Sequence, residues 1–290
     1  MAKGKSKKAN TGATRQFPIR AESKWQSIEI RAEDFAGCYQ LFLDDTPNSF
    51  INLHDPIDLG FEYLETMRTL VESCDFELQQ NLYLGGGACT FPRFISHKYP
   101  KSENLVFEID ETLSTLCREV FALPRAPKMR IRNCDALREI KVLASGSKKY
   151  QLILRDVFIQ GQLPHESNTV GFFESCLPLL DSPALLLLNS IGRPGLAAVK
   201  EEYSHIVKVL QALNWKAESY LLAGISEHGV LKHKRTGNFV WALFRDLDLD
   251  YPGLSRELRR RFSATAIPMK ILIGDELTDF LARKTKFSAL

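Results

Sequence analysis

The sequence has no long hydrophobic run, no paired cysteines and little excess charge, and each absence excludes a class of protein. The longest apolar run, Pro183 to Ile191, is much shorter than the roughly 20 residues that cross a bilayer, and no apolar stretch follows the basic N-terminus as in a secretory signal. We therefore expect a cytoplasmic protein without a membrane partner. Its 290 residues are 44% hydrophobic and 25% charged, which is typical of a globular protein with a substantial core.

The six cysteines are scattered along the chain, without a C-x-x-C pair or a histidine cluster beside them. This pattern argues against a structural zinc site and against a disulfide framework, and it is typical of a reducing compartment. We interpret the cysteines as small buried side chains and expect no metal site. None of the six histidines has a metal-binding spacing, and only His165 follows a strand closely enough to reach a ligand.

The net charge is only +3, and the basic residues concentrate in two segments. Residues 1–22 form a basic tail that has no apolar face to bury, so we predict that this tail is disordered. Residues 255–262 predict a helix with arginines on more than one face. Neither segment has the interleaved aromatic residues of a nucleic-acid recognition motif, so we interpret both as solvated surfaces and expect no nucleic-acid partner.

The pattern of apolar residues changes partway along the chain and predicts two structured units. In residues 23–77, short segments of strand character are separated by polar turns, as in a small antiparallel sheet, and a helical pattern follows over residues 58–74. In residues 78–290, apolar strands alternate with helical stretches, which is typical of a doubly wound parallel α/β sheet. Late strands at residues 216–224 and 238–244 are expected at its edge, as an antiparallel pair.

Three consecutive glycines, Gly85, Gly86 and Gly87, lie between the first predicted strand of the parallel sheet and the next helix. Such a turn brings the N–H groups of a helix N-terminus close to a ligand, although a tight turn alone also uses glycine. A dinucleotide site has a third glycine in G-x-G-x-x-G, and Thr90 holds that position here. The pattern therefore favours an adenosyl ligand without phosphates, such as S-adenosylmethionine or a relative.

Carboxylates follow the next strands, at the positions where an open parallel sheet binds its ligand. Glu108 and Asp110 end the second strand, where a carboxylate can accept hydrogen bonds from both ribose hydroxyls. Asp135 ends the third strand and can accept from an adenine amino group, while Ala136 leaves room for the ring. Asp156 ends the fourth strand and can steer or deprotonate an amine; an N-cap or turn role is the alternative.

The order of these motifs resembles the spermidine synthase (polyamine aminopropyltransferase) family. The matching segments, over residues 25–245, are "LDDTPNSF", "GFEYLE", "LYLGGGACTFPRFI", "VFEID", "RNCDA", "YQLILRD" and "TVGFFESC". The resemblance implies a small N-terminal β-domain and gate helix, a Rossmann-like methyltransferase-type core over residues 78–290, and a homodimer. It also implies S-adenosylmethionine or its decarboxylated form as co-substrate, an amine acceptor, and no prosthetic group. The implied adenosyl-binding residues are Asn48, Gly85, Gly86, Gly87, Glu108, Asp110, Asp135 and Ala136, and the implied catalytic residues are Asp156 and Tyr63.

The sequence departs from this family's pattern at several positions. Ala88 and Cys89 stand where family members carry Asp-Gly. The Asp of that pair contacts the amino end of the transferred propyl chain. Ile159 stands where they carry a second Asp in the catalytic loop. Asn48 replaces a Gln that touches the nucleotide, and Leu64 replaces a His in the gate helix.

A polyamine is a multiply charged cation, so its site needs carboxylates to replace the lost hydration. Each charge-assisted contact contributes about 1.5–3 kcal/mol, so the loss of two carboxylates weakens polyamine binding by about a thousandfold or more. The carboxylates that remain near the predicted site are those of Asp156, Glu65 and Glu166. The predicted acceptor site is therefore poorly lined for a polyamine.

Three functions are compatible with this sequence. The first is an aminopropyltransferase that binds decarboxylated S-adenosylmethionine and has altered acceptor recognition, which an acidic cavity would favour. The second is a methyltransferase of the same fold that uses S-adenosylmethionine, which a neutral or basic cavity with Arg93 or Arg155 nearby would favour. The third is a non-catalytic adenosyl-binding protein, in which Phe91, Phe158 or Ile159 would block the cavity.

Overall fold

Two sheets organise the protein in the computed structural model, which describes residues 16–265 and 269–283. The first sheet is antiparallel and has four strands, each paired with the next along the chain. The second is a mixed sheet of eight strands, most of them separated by helices. This arrangement confirms the predicted α/β fold, in which a small antiparallel sheet precedes a large doubly wound one.

The strands of the N-terminal sheet are β1 (Ile19–Glu22), β2 (Ser27–Ala32), β3 (Cys38–Leu43) and β4 (Thr46–Asn52). Alternate residues of β2, Ile28 and Ile30, are buried against the rest of the protein, as expected for a sheet with one covered face. Strand β1 lies within the segment predicted as a disordered tail, so that prediction is wrong for these residues. Four residues are too few to show the alternation of apolar and polar residues that identifies a strand, and pairing with β2 orders them. Residues 1–15 of the predicted tail lie outside the described residues.

Helix α1 (Glu62–Val71) connects the two sheets. Its apolar residues Leu64, Met67, Leu70 and Val71 are buried, which is the face that the helical spacing predicted. The helix begins four residues later than the pattern at 58–74 suggested. Tyr63 therefore lies in the first turn of α1, at the junction between the N-terminal sheet and the large sheet.

The large sheet has the order β12-β10-β11-β9-β8-β5-β6-β7. Its strands are β5 (Gln80–Leu84), β6 (Glu103–Glu108), β7 (Met129–Asn133), β8 (Tyr150–Arg155), β9 (Leu180–Gly192), β10 (Tyr220–Glu227), β11 (Gly237–Arg245) and β12 (Met269–Ile273). The helices that accompany them are α2 (Thr90–Lys98), α3 (Glu111–Phe121), α4 (Ala136–Ala144), α5 (Val170–Cys176), α6 (Ala197–Ala212), α7 (His228–Leu231), α8 (Tyr251–Ser263) and α9 (Asp275–Ala282). Strands β7, β6, β5, β8 and β9 are parallel, so their carboxyl ends meet at one edge of the sheet.

The predicted antiparallel pair of late strands is confirmed. Strand β10 pairs antiparallel with β11, and β11 in turn pairs antiparallel with β9. Strand β12 adds a further antiparallel strand beside β10. This return of the chain brings the beginning of β11, with Asn238, opposite the end of β9 and next to the carboxyl edge of the parallel strands.

Apolar clusters cover both faces of the large sheet. The N-terminal sheet, α1, α2, α3 and α8 pack on one face, and α4, α5, α6 and α9 pack on the other. Strand β8 shows the alternation directly, because Leu152 and Leu154 belong to the first cluster and Ile153 to the second. Four of the six unpaired cysteines are buried and two partly buried. None of the helices in the described part of the chain has the length and apolar character that a membrane span needs.

Candidate active site

A cavity of about 590 Å³ lies between the N-terminal sheet and the carboxyl edge of the parallel strands. This volume is typical of a small-molecule site, for which about 300–1,000 Å³ is usual. All but one of the residues predicted to act in binding or catalysis line it. They are Asn48, Tyr63, Gly85, Gly86, Gly87, Glu108, Asp135, Ala136 and Asp156; the exception is Asp110.

The first glycine of the loop is required by a close approach of two backbone segments. Gly85 has a φ of +91°, and a Cβ atom placed on it would lie 2.2 Å from the backbone oxygen of Asp156. Its N–H donates to the backbone oxygen of Phe107 at 3.0 Å. Because a side chain fits neither the conformation nor the space, glycine lets the loop lie directly against the end of β8.

The carboxylate of Glu108 occupies the N–H groups of the glycine loop. Its Oε2 accepts hydrogen bonds from the N–H groups of Gly86 and Gly87, at 2.9 and 3.1 Å, and its Oε1 accepts from the N–H of Asp110 at 2.9 Å. Burial raises the pKa of Glu108, while these backbone donors act in the opposite direction. A phosphate would have to compete with this carboxylate for the same donors, so the loop favours a ligand with hydroxyl groups over one with phosphates.

Asp110 does not reach the cavity. Its Oδ1 caps α3 by accepting from the N–H of Leu113 at 3.1 Å, and its Oδ2 accepts from Ser23 Oγ at 2.6 Å and from Gln26 Nε2 at 3.2 Å. The side chain is buried and bound on both oxygens. Asp110 thus ties the N-terminal sheet to the end of β6, and the structure gives it no place beside a ligand.

Asp135 and Asn48 combine a cavity position with a local structural bond. Asp135 caps α4 by accepting from the N–H of Leu137 at 2.9 Å. The N-cap role that the sequence suggested as an alternative for Asp156 is therefore found at Asp135. Asn48 accepts from Ser49 Oγ at 2.8 Å, and both side chains lie against Gly87. Each keeps polar atoms at the cavity wall for a ligand.

A network of polar side chains surrounds Asp156. Its Oδ2 accepts from the Tyr63 hydroxyl at 2.8 Å, and its Oδ1 accepts from Asn189 Nδ2 at 2.8 Å. Asn238 Nδ2 donates in turn to Asn189 Oδ1 at 2.9 Å. Burial raises the pKa of Asp156, and the bonds from Asn189 and Tyr63 partly offset this. Burial and the neighbouring carboxylate raise the pKa of Tyr63 well above its usual value, so the phenol stays a neutral donor.

Sequence reasoning missed Asn189 and Asn238. Asn189 ends the run "LLLLN" inside an apolar strand, and Asn238 begins "NFVWALF". A lone asparagine within a buried strand was the available signal, since a buried amide needs a partner. Its proximity to Asp156 could not be inferred, because it depends on the pairing of β9 with β8 and β11.

Other polar residues considered from the sequence lie outside the cavity. Arg155 is fully buried and pairs with Glu202 at 2.6 Å, and Arg93 donates to the backbone oxygen of Asn52 at 3.3 Å. Glu65 pairs with Arg68, while His165 and Glu166 are exposed. Ala88, at the position of a family Asp, is buried and is not part of the lining.

The cavity is therefore acidic. Across the described residues, its lining holds four carboxylates and neither lysine, arginine nor histidine. The carboxylates are those of Asp44, Glu108, Asp135 and Asp156. No group of three or more His, Cys, Asp and Glu side chains in this part of the chain is placed to hold a metal ion. Such a lining complements a cationic ligand.

Curated relatives match part of the chain, whereas no protein-family model matches it. A polyamine aminopropyltransferase from Vibrio vulnificus (strain CMCP6) is 28% identical over 111 residues, which cover 38% of this chain and 37% of the relative. One from Neisseria meningitidis serogroup A / serotype 4A (strain DSM 15465 / Z2491) is 27% identical over 146 residues, 50% of this chain and 54% of the relative. The chain thus spans about half or less of the relatives it matches.

Solved structures match more of the chain. A probable spermidine synthase from Corynebacterium glutamicum ATCC 13032 has a TM-score of 0.80 and 27% identity, over 95% of this chain and 99% of that one. A spermidine synthase in complex with the transition state analogue AdoDATO has a TM-score of 0.58 and 15% identity, over 81% of this chain and 75% of that one. Human methyltransferase-like protein 13 in complex with SAH has a TM-score of 0.52 and 16% identity, over 79% of this chain and 96% of that one.

The last two similarities concern the fold alone. The names of the curated relatives and of the Corynebacterium structure agree with the resemblance stated from the sequence, and the fold agrees over nearly the whole chain. Together these similarities support a spermidine synthase family member, at modest sequence identity.

Proposed function

We propose that the protein is a spermidine synthase-like transferase, which binds decarboxylated S-adenosylmethionine and transfers its aminopropyl group to an amine. The charge of the cavity carries this proposal, because the described lining has four carboxylates and no cationic side chain. Decarboxylated S-adenosylmethionine carries a sulfonium and an ammonium but no carboxylate, so it complements such a lining. The carboxylate of S-adenosylmethionine itself would be desolvated there without a cationic partner.

The adenosyl group fits the ends of β5, β6 and β7. In this proposal Glu108 accepts from the ribose hydroxyls and the adenine follows at Asp135 and Ala136; all three residues line the cavity, at the ends of the neighbouring strands β6 and β7. Asn48 lies against the glycine loop from the side of the N-terminal sheet. The sulfonium then lies toward β8, so that the methylene carbon to be transferred faces Asp156.

The reaction is a nucleophilic displacement. A protonated amine gives one proton to Asp156. The freed electron pair of the nitrogen then forms a C–N bond with the propyl methylene carbon that is bonded to the sulfonium sulfur. The C–S bond breaks, its electron pair goes to sulfur, and methylthioadenosine leaves as a neutral thioether. Burial raises the pKa of Asp156, which makes its carboxylate a better proton acceptor, and Tyr63 and Asn189 hold its two oxygens in place.

A thermal-shift series with decarboxylated S-adenosylmethionine, S-adenosylmethionine and methylthioadenosine tests the ligand. At a hundred times its dissociation constant, a ligand stabilises the fold by about 2.7 kcal/mol. We expect the largest shift for the decarboxylated form. A larger shift for S-adenosylmethionine would contradict the proposal and favour a methyltransferase, and no shift with any of the three would contradict an adenosyl site.

Release of methylthioadenosine from decarboxylated S-adenosylmethionine, in the presence of a mixture of amines, tests the reaction. We expect Asp156→Asn to lower this rate by about a hundredfold or more, the usual size of a general-base contribution, while the shift with methylthioadenosine is retained. Retained binding without release in the wild-type protein would favour the non-catalytic alternative. The predicted homodimer and cytoplasmic location stay predictions.

A further inference from the structure

The carboxylates of the cavity are unevenly distributed along the edge of the large sheet. Neighbouring strands in the order β7-β6-β5-β8-β9-β11 lie about 4.8 Å apart. The lining residues at the ends of these strands therefore follow one another along the cavity in that order. The ends of β7, β6 and β5 form an adenosyl half, and the ends of β8, β9 and β11 form an acceptor half. The adenosyl half presents Asp135, Glu108 and the glycine loop; the acceptor half presents Asp156, Asn189, Ile191 and Asn238.

The remaining carboxylate of the lining, Asp44, belongs to the adenosyl half. Its Oδ1 accepts from the N–H of Ser27 at 2.9 Å. The preceding residue, Gln26, donates through its side chain to Asp110, directly after β6. These contacts hold Asp44 on the side of β6. Within residues 16–265 and 269–283, Asp156 is therefore the only carboxylate of the acceptor half.

Beyond Asp156 the acceptor half continues with neutral amides. Asn189 uses its Nδ2 on Asp156 and its Oδ1 on Asn238 Nδ2, so its side chain is bound at both ends. Oδ1 of Asn238 accepts no hydrogen bond from the residues that the structure describes. The hydrogen-bond network that starts at the Asp156 carboxylate thus ends at the cavity wall in an uncharged hydrogen-bond acceptor, Oδ1 of Asn238.

Apolar side chains complete the acceptor half. Ile191 lies two residues after Asn189 on β9, Ile159 lies in the loop after β8, and Leu64 follows Tyr63 on α1; all three line the cavity. Ile159 and Leu64 stand where the family pattern has Asp and His. The exposed fraction of Ile159, 40%, shows that no core packing demands an apolar residue there.

We propose that the acceptor is a monoamine, with one protonated amine bound by Asp156 and Tyr63 and an uncharged remainder against Ile159, Ile191 and Asn238. This inference rests on the proposed aminopropyl transfer and narrows its acceptor. The second ammonium of a diamine would lose hydration in this half without a carboxylate to replace it. A methyl group fits the isoleucines without that cost, and a hydroxyl group can donate to Asn238.

Three acceptors with the same four-carbon chain test the proposal: 1,4-diaminobutane, 4-aminobutan-1-ol and butylamine. With the full chain and saturating decarboxylated S-adenosylmethionine, kcat/KM is measured for each from the release of methylthioadenosine. We expect both monoamines to exceed diaminobutane by about tenfold or more, the weight of one missing charge-assisted contact. Equal values, or a preference for diaminobutane, would overturn the monoamine proposal and leave aminopropyl transfer intact. Absence of release with all three would overturn both.

A matched pair of variants keeps the test independent of general damage to the site. Ile159→Asp adds a carboxylate to the acceptor half, whereas Ile159→Asn adds a neutral group of the same size at the same exposed position. Both variants remove the apolar contact of Ile159, but only Ile159→Asp adds a charge, so we expect kcat/KM for diaminobutane relative to butylamine to be about tenfold higher in Ile159→Asp than in Ile159→Asn. The same ratio in Ile159→Asp and Ile159→Asn would show that the acceptor half does not select by charge, and would overturn the proposal.

Discussion

The hydroxyl of Tyr63 donates a 2.8 Å hydrogen bond to Oδ2 of Asp156 and joins the first turn of α1 to the end of β8. The two residues are 93 positions apart in the chain, so this bond forms only when the N-terminal segment is seated on the large sheet. With Asn189 on the other oxygen, it holds the carboxylate in one orientation. The candidate catalytic group is thus positioned by both parts of the protein.

Tyr63→Phe removes one of the two donors that lower the pKa of Asp156, so that pKa rises further above its usual value. Only the ionised carboxylate accepts a proton, so the acid limb of the kcat/KM profile moves to higher pH. We also expect kcat/KM at its pH optimum to fall by about tenfold to a hundredfold, as for the loss of a bond to a charged group. The profile is measured from methylthioadenosine release between about pH 3.5 and about pH 10.5, a range that includes the ordinary pKa values of a carboxyl group, ~3.9, and of an alkyl amine, ~10.4.

Tyr99→Phe is the control for this change, because it also removes a phenol hydroxyl but lies outside the cavity lining. Its profile should match that of the wild-type protein. An acid limb that stays in place in Tyr63→Phe would contradict the role of Asp156 as the proton acceptor.

Gly85→Ala should destabilise the fold by about 2–5 kcal/mol, the sum of a left-handed backbone conformation and a steric overlap. The added Cβ would lie 2.2 Å from the backbone oxygen of Asp156, which cannot rotate away. Gly161→Ala is the matched control, since Gly161 also has a positive φ, +68°, but has no atom within 4 Å of the added Cβ. Urea unfolding should show a clearly smaller loss for Gly161→Ala; equal losses would mean that the close approach does not constrain Gly85.

Arg155→Met should destabilise the protein by about 3–5 kcal/mol, because it leaves the carboxylate of Glu202 buried without its cationic partner. Arg155 also donates to the backbone oxygen of Asn189 at 2.9 Å, so part of the loss falls on the strand that supports Asp156. Arg259→Met breaks an exposed pair with Glu276 at 3.0 Å and should cost no more than about 1 kcal/mol. Chemical denaturation of both variants checks the comparison, and similar losses would contradict it.

Glu108→Gln should raise the dissociation constant of decarboxylated S-adenosylmethionine by about tenfold to a hundredfold, because a charged acceptor of the ribose hydroxyls is lost. Asp110→Ala should instead cost about 0.5–2 kcal/mol of stability, as for the loss of an N-cap, and leave this dissociation constant nearly unchanged. Calorimetric titration and unfolding of both variants separate the two roles. Weakened binding in Asp110→Ala, at the level of Glu108→Gln, would place Asp110 in the ligand site after all.

Neighbouring residues show how far the sequence could predict the site. Glu108 and Asp110 are two positions apart and looked equivalent, yet only Glu108 lines the cavity, because the side chain of Asp110 caps α3. Arg155 and Asp156 are adjacent, and both were candidates for ligand contact. Arg155 points into the buried face of the sheet, where Glu202 of α6 binds it, whereas Asp156 lies at the edge.

The sequence by itself determined the two-sheet α/β fold, the position of the glycine loop and the carboxylates at the strand ends, since these follow from hydrophobic period and chain order. Only the tertiary structure decided which of these groups meet. Asn189 and Asn238 are 49 residues apart, and the antiparallel pairing of β9 with β11 brings them together beside Asp156. Such pairing depends on the packing of whole strands, so no local pattern predicts it. For the same reason, no local pattern predicts that the acceptor half has one carboxylate and two neutral amides.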